Sequence, residues 1–282
     1  MLQIITDSAS DIPQSVAAEW GVTVLPLTVC FGEEEYEDGV TITPSDFYTK
    51  LIETDVLPKT SQITPSRYGE AFRRARAQGD EVVAVCLSSE LSGSYQSACA
   101  AAAEFDSGIE VVDSHVVCCA LYILVELAVR LRDQGMNAAQ IAAVLREKAH
   151  EVSVIALFDT LEYLRMGGRI GGAAAFAGGL LSLKPVLTIR EGRIVAIGRA
   201  RGSRNGNNML MEYVKKQGGI DFALPICVAW SGNSDELVRK YIEDSRSLYD
   251  GFEGEISTTR VGSTIGTYAG PGAVALAFFP KR

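Results

Sequence analysis

Short β-rich runs alternate with helical segments throughout the first half of this chain, and this alternation is its strongest structural constraint. The links between the segments are short. Parallel strands are joined by crossover helices that cover both faces of a sheet, so the order predicts an α/β fold with a parallel sheet. The expected strands are Leu2–Thr6, Val22–Val29, Glu81–Leu87 and Ile109–Val112, and the expected helices are Val16–Trp20, Phe47–Ile52, Pro65–Gln78, Ser94–Phe105, 116–133 and Ala138–His150.

The pattern changes near residue 150. A hairpin is expected across the pair Glu191-Gly192, because β-rich runs flank this short glycine-containing link. The mixture of elements favours an α+β domain with an antiparallel or mixed sheet. Because 282 residues are long for one core, we expect two domains, 1–150 and 151–282. The expected elements are strands at Val152–Phe158, Pro185–Ile189, Arg193–Ile197, 224–230 and 254–261, and helices near 207–217 and 233–247.

Composition and charge exclude several classes of function. Hydrophobic residues make up 47% of the chain and charged residues 22%, which is enough apolar side chain for a large core and a lined cavity. The net charge of −9, without a stripe of Lys or Arg, argues against nucleic acid as a partner. The N-terminus has no signal-peptide pattern, so a cytoplasmic location is expected. The most apolar stretch, Val116 to Leu131, contains Glu126 and is shorter than the ~20 residues of a membrane span.

Sequence motifs for metal or nucleotide chemistry are missing. The six cysteines form no CxxC pair, and the sequence has only two histidines, so neither a metal nor a cofactor is expected. The chain contains neither a P-loop of the form GxxxxGK[ST] nor a GxSxG nucleophile elbow. These absences argue against the commonest routes to nucleotide and acyl chemistry.

Four segments, 6–11, 60–62, 88–95 and 262–272, are rich in hydroxyl groups and glycine. Ligands of parallel α/β sheets bind beyond the carboxyl ends of the strands, where such loops converge. The third segment follows an expected strand and opens a helix, so Ser92 and Gly93 would offer a hydroxyl and backbone N–H groups to a carboxylate or phosphate. The alternative is that these serines and threonines only cap helices.

Seven motifs occur in the order found in the DegV family, which this chain resembles over essentially its whole length. Each motif alone is weak, whereas the ordered set is specific. The motifs are Ile5-Thr6-Asp7-Ser8, Lys59-Thr60-Ser61-Gln62, Leu91-Ser92-Gly93-Ser94-Tyr95-Gln96-Ser97-Ala98, Val112-Asp113-Ser114, the segment from Thr160 to Gly171, Leu183-Lys184-Pro185 and the glycine-rich segment from Gly262 to Gly272.

The resemblance implies a Rossmann-like N-terminal domain, an α+β C-terminal domain, and an apolar tunnel between or across them that holds a long-chain fatty acid such as palmitate. It further implies a non-catalytic subunit in lipid transport or fatty acid metabolism, which presents the acyl carboxylate to a separate ATP-binding fatty acid kinase subunit. Transient membrane contact is compatible with that role, and we expect a monomer. On this analogy Thr60 and Ser92 bind the carboxylate, and Ser61, Gly93, Tyr268 and Arg169 face the head group or the partner.

Tyr268 departs from the family pattern. Many family members have histidine at this position, after the pair Gly266-Thr267. A tyrosine hydroxyl still donates a hydrogen bond, but a tyrosine cannot become a cation as histidine can. The substitution therefore bears on phosphoryl transfer more than on binding. Arg169 also allows two interpretations, a partner-facing or phosphate-facing cation, or a structural cation at a helix C-terminus beside glycines.

Other functions stay open at this point. One is a phosphotransferase-like enzyme related to the dihydroxyacetone kinases, whose fold the DegV family partly resembles, and another is a serine hydrolase. A third is a regulatory scaffold in which a lipid is incidental. The carrier hypothesis has the full set of motifs behind it, whereas the enzymes lack their characteristic motifs.

Overall fold

A computed structural model of the chain describes residues 1–54, 56–176 and 183–281. Its strands are β1 Leu2–Asp7, β2 Val22–Leu25, β3 Thr28–Phe31, β4 Glu34–Glu37, β5 Lys59–Ser61, β6 Glu81–Cys86, β7 Ile109–Asp113, β8 Ser153–Leu157, β9 Leu183–Arg190, β10 Arg193–Arg201, β11 Cys227–Trp230, β12 Ser257–Arg260 and β13 Val274–Phe278. Its α-helices are α1 Gln14–Trp20, α2 Pro44–Glu53, α3 Pro65–Ala77, α4 Ser94–Ala102, α5 Cys119–Asp133, α6 Ala138–Ala149, α7 Glu162–Met166, α8 Gly202–Lys216, α9 Glu236–Asp244 and α10 Ser263–Ala269.

The expected parallel sheet is present, with strand order β2-β1-β6-β7. Strand β6 is apolar and buried from Val82 to Cys86, as in a sheet that is covered on both faces. The helix pairs α3 with α4 and α5 with α6 pack against these strands. The α/β fold class is therefore confirmed. Because the chain crosses from β2 to β6 on the other side of β1, the crevice beyond β1 and β6 is a topological switch point.

The run Val22–Val29, expected to be one strand, is divided between two sheets. Strand β2 ends at Leu25, and β3 joins a separate antiparallel sheet of order β4-β3-β5. Pro26 stands between them and has no N–H to donate to a neighbouring strand, which accounts for the break. Glu34 and Glu35 lie in β4, an edge strand of this sheet. Thr60 and Ser61 likewise lie in a strand, β5, rather than in a loop.

The second half forms a six-stranded mixed sheet of order β10-β9-β8-β13-β11-β12, in which β11 and β12 are parallel. The hairpin across Glu191 and Gly192 is confirmed, and both residues have the positive φ that its turn requires. Strand β13, which lies between β8 and β11, was not predicted. Its sequence is almost wholly apolar and shows no alternation, so the pattern did not identify it as a strand.

Helix α5 connects the two sheets. It packs on β1 and β6 of the parallel sheet and on β11 and β13 of the mixed sheet. The helix begins at Cys119 rather than at residue 116, because His115 and Cys118 have positive φ angles of 54° and 58°. Among the described residues, no helix is both long enough and apolar enough to cross a membrane.

The strands of the parallel sheet precede residue 150 in sequence, and those of the mixed sheet follow it. One apolar core cluster nevertheless contains Val83 and Ile123 from the first half and Cys227 and Phe279 from the second. A separate cluster lies beneath α8 and α9. The proposed domain boundary near residue 150 stays a prediction.

Candidate functional site

A cavity of about 410 Å³ lies where the parallel sheet, α10 and the mixed sheet meet. Segments that follow β6 and β7 contribute Leu87, Leu91 and Val117 to its wall. This is the switch-point edge at which ligands of such sheets bind. The volume falls within the roughly 300–1,000 Å³ that is typical of small-molecule sites.

A row of alanines on three adjacent strands gives the cavity its room. Ala275 of β13 pairs with Ala156 of β8 on one side and with Ala229 of β11 on the other. All three line the cavity. Ala156 and Ala275 are half-buried although they lie on central strands, since they face this space. Small side chains across the middle of the sheet therefore leave an apolar trough.

The six residues proposed from sequence as head-group or partner-facing residues all line this cavity. They come from four separate parts of the chain, and the fold brings them to the lining of one cavity. Thr60 and Ser61 lie on β5, Ser92 and Gly93 precede α4, Arg169 follows α7, and Tyr268 lies on α10.

Tyr268 lies on a helix, whereas the sequence indicated a glycine-rich loop. Helix α10 begins at Ser263 because two of its first N–H groups are bound by a distant carboxylate. Asp38 accepts hydrogen bonds from the backbone N–H groups of Ser263 at 2.8 Å and Thr264 at 3.2 Å. Such a cap stabilises a helix start, but its donor and acceptor are too far apart in sequence to be recognised as a motif.

The hydroxyl groups of Thr60 and Tyr268 form a hydrogen bond of 2.6 Å. The guanidinium carbon of Arg169 lies 5.0 Å from the centre of the Tyr268 ring, which is a cation–π distance. Gly167 makes room for this ring, because a Cβ atom there would lie 2.5 Å from two ring carbons. The backbone carbonyl of Gly167 also accepts a hydrogen bond from Arg169 at 2.9 Å.

Ser92 lies in a tight turn before α4. Its hydroxyl is 3.1 Å from that of Ser94, and it accepts a hydrogen bond from the Ser94 N–H at 3.3 Å. Gln62 was not singled out from the sequence, yet it lines the cavity beside this turn. A Cβ atom on Gly93 would lie 2.1 Å from the Gln62 Oε1 atom, so the glycine admits that side chain. The only sequence signal for Gln62 was its place next to Thr60 and Ser61.

Two buried or half-buried carboxylates hold the segment that contains Ser92. Asp7 accepts hydrogen bonds from the N–H groups of Ala9 at 3.1 Å and Leu87 at 2.7 Å. Asp113 accepts from Ser89 at 3.2 Å. Burial raises the pKa of Asp7 to about 7, against the opposing effect of its two N–H donors. The first hydroxyl-rich segment, 6–11, thus supports the site without lining the cavity.

The tip of the β9–β10 hairpin packs against the same segment from the other half of the chain. The Ser88 hydroxyl donates a hydrogen bond to the carbonyl of Gly192 at 2.9 Å. Arg193 forms an ion pair of 2.8 Å with Glu90. These contacts hold segment 88–95 in position relative to the mixed sheet.

A second cavity, which we call the outer cavity, has a volume of about 420 Å³ and lies next to the first, the inner cavity. Lys59, Tyr163 and Met166 line the outer cavity, and the Lys59 side chain is exposed. Within the described residues, those that line both cavities are Thr60, Arg169 and Tyr268.

Together the two cavities offer a largely apolar inner space, several hydroxyl donors and the exposed cations Lys59 and Arg169. This arrangement suits an amphiphile with an acidic head group, since hydroxyl, N–H and guanidinium groups can replace the water lost by a buried carboxylate. Among the described residues, no group of three or more His, Cys, Asp or Glu side chains could hold a metal ion.

Comparison with known proteins gives a consistent result. The family model described as "Uncharacterised protein, DegV family" matches residues 1–281. A DegV domain-containing protein from Deinococcus radiodurans is 36% identical over 284 residues, which cover 99% of this chain and 98% of the relative. A second such protein, from Caldanaerobacter subterraneus, is 34% identical and covers 99% of both chains.

Two solved structures are similar over the whole length. One is described as fatty acid binding by a DegV family protein from Thermus thermophilus. It has a TM-score of 0.90 and 33% identity, and the match covers 100% of both chains. The other is a stearic-acid-binding protein from Eubacterium ventriosum, with a TM-score of 0.88 and 28% identity, covering 100% of this chain and 99% of that one.

Proposed function

Because this chain belongs to the DegV family, we propose that it binds one long-chain fatty acid, such as palmitate, in the inner cavity. The observation behind this proposal is that all six proposed head-group residues lie on the wall of one otherwise largely apolar cavity. The fatty-acid-binding structures from Thermus thermophilus and Eubacterium ventriosum support the same ligand class.

The acyl chain would lie in the trough formed by Ala156, Ala229 and Ala275. Each methylene group removed from water contributes about 0.8 kcal/mol, so a sixteen-carbon tail supplies on the order of 10 kcal/mol before ordering costs. Ordering and association costs reduce this figure, and we expect the remaining affinity to keep the ligand bound during purification.

The carboxylate would be bound by the hydroxyl groups of Thr60 and Ser92. Ser61, Tyr268 and the backbone of Gly93 line the same cavity and would contribute further donors. Arg169, which lies beside the Tyr268 ring, would supply a positive charge. A carboxylate that finds several donors in this way avoids the cost of being buried alone.

The protein would act as a non-catalytic subunit in the cytoplasm, with the fatty acid as ligand and without a cofactor. In this role it presents the carboxylate to a separate ATP-binding kinase subunit and contacts membranes transiently to exchange its ligand. The outer cavity supports this role. Its lining contains the cations Lys59 and Arg169, which would attract a negatively charged group to this side of the protein.

The first experiment is extraction of the purified protein under denaturing conditions, followed by mass spectrometry of the released lipid. We expect about one long-chain fatty acid per chain. A protein that is free of lipid and also fails to bind added palmitate would contradict the proposal. Formation of acyl phosphate from the loaded protein, ATP and a purified kinase subunit tests the proposed partner separately.

A further inference from the structure

The inner and outer cavities meet at three side chains, which we call the partition. Thr60, Arg169 and Tyr268 are the described residues that line both spaces. Thr60 lies on β5 and Tyr268 on α10, so the partition joins elements 208 residues apart in sequence. A molecule that moves between the two cavities must pass these side chains.

One hydrogen bond joins two of the three side chains of the partition. The Thr60 and Tyr268 hydroxyl groups are 2.6 Å apart, and either can be the donor. The Tyr268 ring fits into the partition because Gly167 has no Cβ atom, and Arg169 lies against the ring at 5.0 Å. The bond between the two hydroxyl groups is thus the contact that must break for the ring to turn aside.

We propose that Thr60 and Tyr268 form a gate through which the fatty acid enters and leaves the inner cavity by way of the outer one. This inference rests on the proposed function, because it takes the acyl chain as the molecule that passes. While the hydroxyl groups bond each other, one of their two protons is occupied. The acyl tail passes first, while this bond is broken. The carboxylate that follows has lone pairs for both protons, so it takes the place of the hydroxyl–hydroxyl bond once the head group is bound.

Rate constants distinguish a gate from a simple head-group contact. A side chain that only binds the carboxylate slows dissociation, and its removal raises the dissociation rate while the association rate is unchanged. A side chain that closes the entrance also slows association. Stopped-flow mixing with cis-parinaric acid, a fluorescent fatty acid, gives the association rate constant, and a chase with unlabelled palmitate gives the dissociation rate constant.

The variants are Tyr268→Phe and Thr60→Val, each of which removes one hydroxyl group and keeps the shape of the side chain. We expect association to become roughly 2- to 12-fold faster in each, the rate equivalent of one net hydrogen bond. The double variant should be no faster than the faster single variant, since both remove the same bond. Thr60→Ser, which restores the hydroxyl group, should associate at the original rate.

Tyr163→Phe is the matched control. Tyr163 lines the outer cavity but not the inner one, so loss of its hydroxyl group should leave association unchanged. The gate is refuted if Tyr268→Phe and Thr60→Val associate at the original rate, as they would if the acyl chain entered past the exposed Ser61 and Gln62 instead. If these two variants only dissociated faster, Thr60 and Tyr268 would bind the head group without forming a gate. An unaltered protein that binds no parinaric acid would refute the proposed function itself.

Discussion

Replacement of Ala275 by leucine tests whether the trough holds the acyl chain. Ala275 is the middle member of the alanine row, with Ala156 and Ala229 on the neighbouring strands, and it faces the inner cavity. Leucine adds three carbon atoms at this point and should displace about three methylene groups of a long ligand. At about 0.8 kcal/mol per methylene group, the loss is about 2.4 kcal/mol, or roughly 50-fold in affinity.

The assay is a competition titration with sixteen-carbon and twelve-carbon fatty acids. Palmitate should lose about 50-fold in affinity, whereas the shorter acid, which occupies less of the trough, should lose less. Ala139→Leu, on the exposed face of α6, is the matched control and should change neither value. Equal affinities of the Ala275→Leu and unaltered proteins for palmitate would refute the placement of the tail.

Three further predictions concern the wall and its support. Replacing Thr60 and Ser92 together by alanine should weaken fatty acid binding by about 1.5 to 3 kcal/mol per hydroxyl group, measured by the same titration; unchanged affinity would contradict their role. Gly167→Ala should lower the free energy of unfolding in urea by about 1 to 3 kcal/mol, because its Cβ meets the Tyr268 ring. Asp7 binds its proton more tightly in the folded protein, where its pKa is about 7, than in the unfolded chain, where the pKa is 3.8. Its contribution to the stability of the folded protein is therefore complete below pH 3.8 and is lost as the pH rises towards and through 7. Urea unfolding at pH 5 and pH 7 should show a decrease of up to about 1.4 kcal/mol per pH unit that Asp7→Asn abolishes.

Local signals predicted most of the fold. The alternation of strands and helices identified the parallel sheet, and the turn pair Glu191-Gly192 identified the hairpin of the mixed sheet. The errors arose where tertiary contacts decide the structure. Strand β13 lacks an alternating pattern because it is covered on both sides, and α10 begins where Asp38, more than two hundred residues away, binds its first N–H groups. Pro26 was a local signal for the end of β2, and the sequence interpretation did not use it.

The candidate site was predictable as a set of residues but not as an arrangement. The resemblance proposed Thr60 and Ser92 as carboxylate-binding residues, a role that stays a prediction, and both line one cavity. The bond between Thr60 and Tyr268 could not be inferred, because no sequence pattern sets the distance between side chains on β5 and α10. The outer cavity is likewise formed by segments that meet only in the folded chain.

Two glycines at the site show how such an arrangement is encoded. Gly93 and Gly167 have φ angles of −76° and −78°, which any residue can adopt, so backbone freedom does not explain them. At each position, a Cβ atom would instead collide with a side chain that lines the cavity, Gln62 in the first case and Tyr268 in the second. The space left by a missing side chain therefore positions the neighbouring functional one. In a sequence, such a glycine looks the same as one that serves a turn, and the two are told apart only when the neighbour is seen.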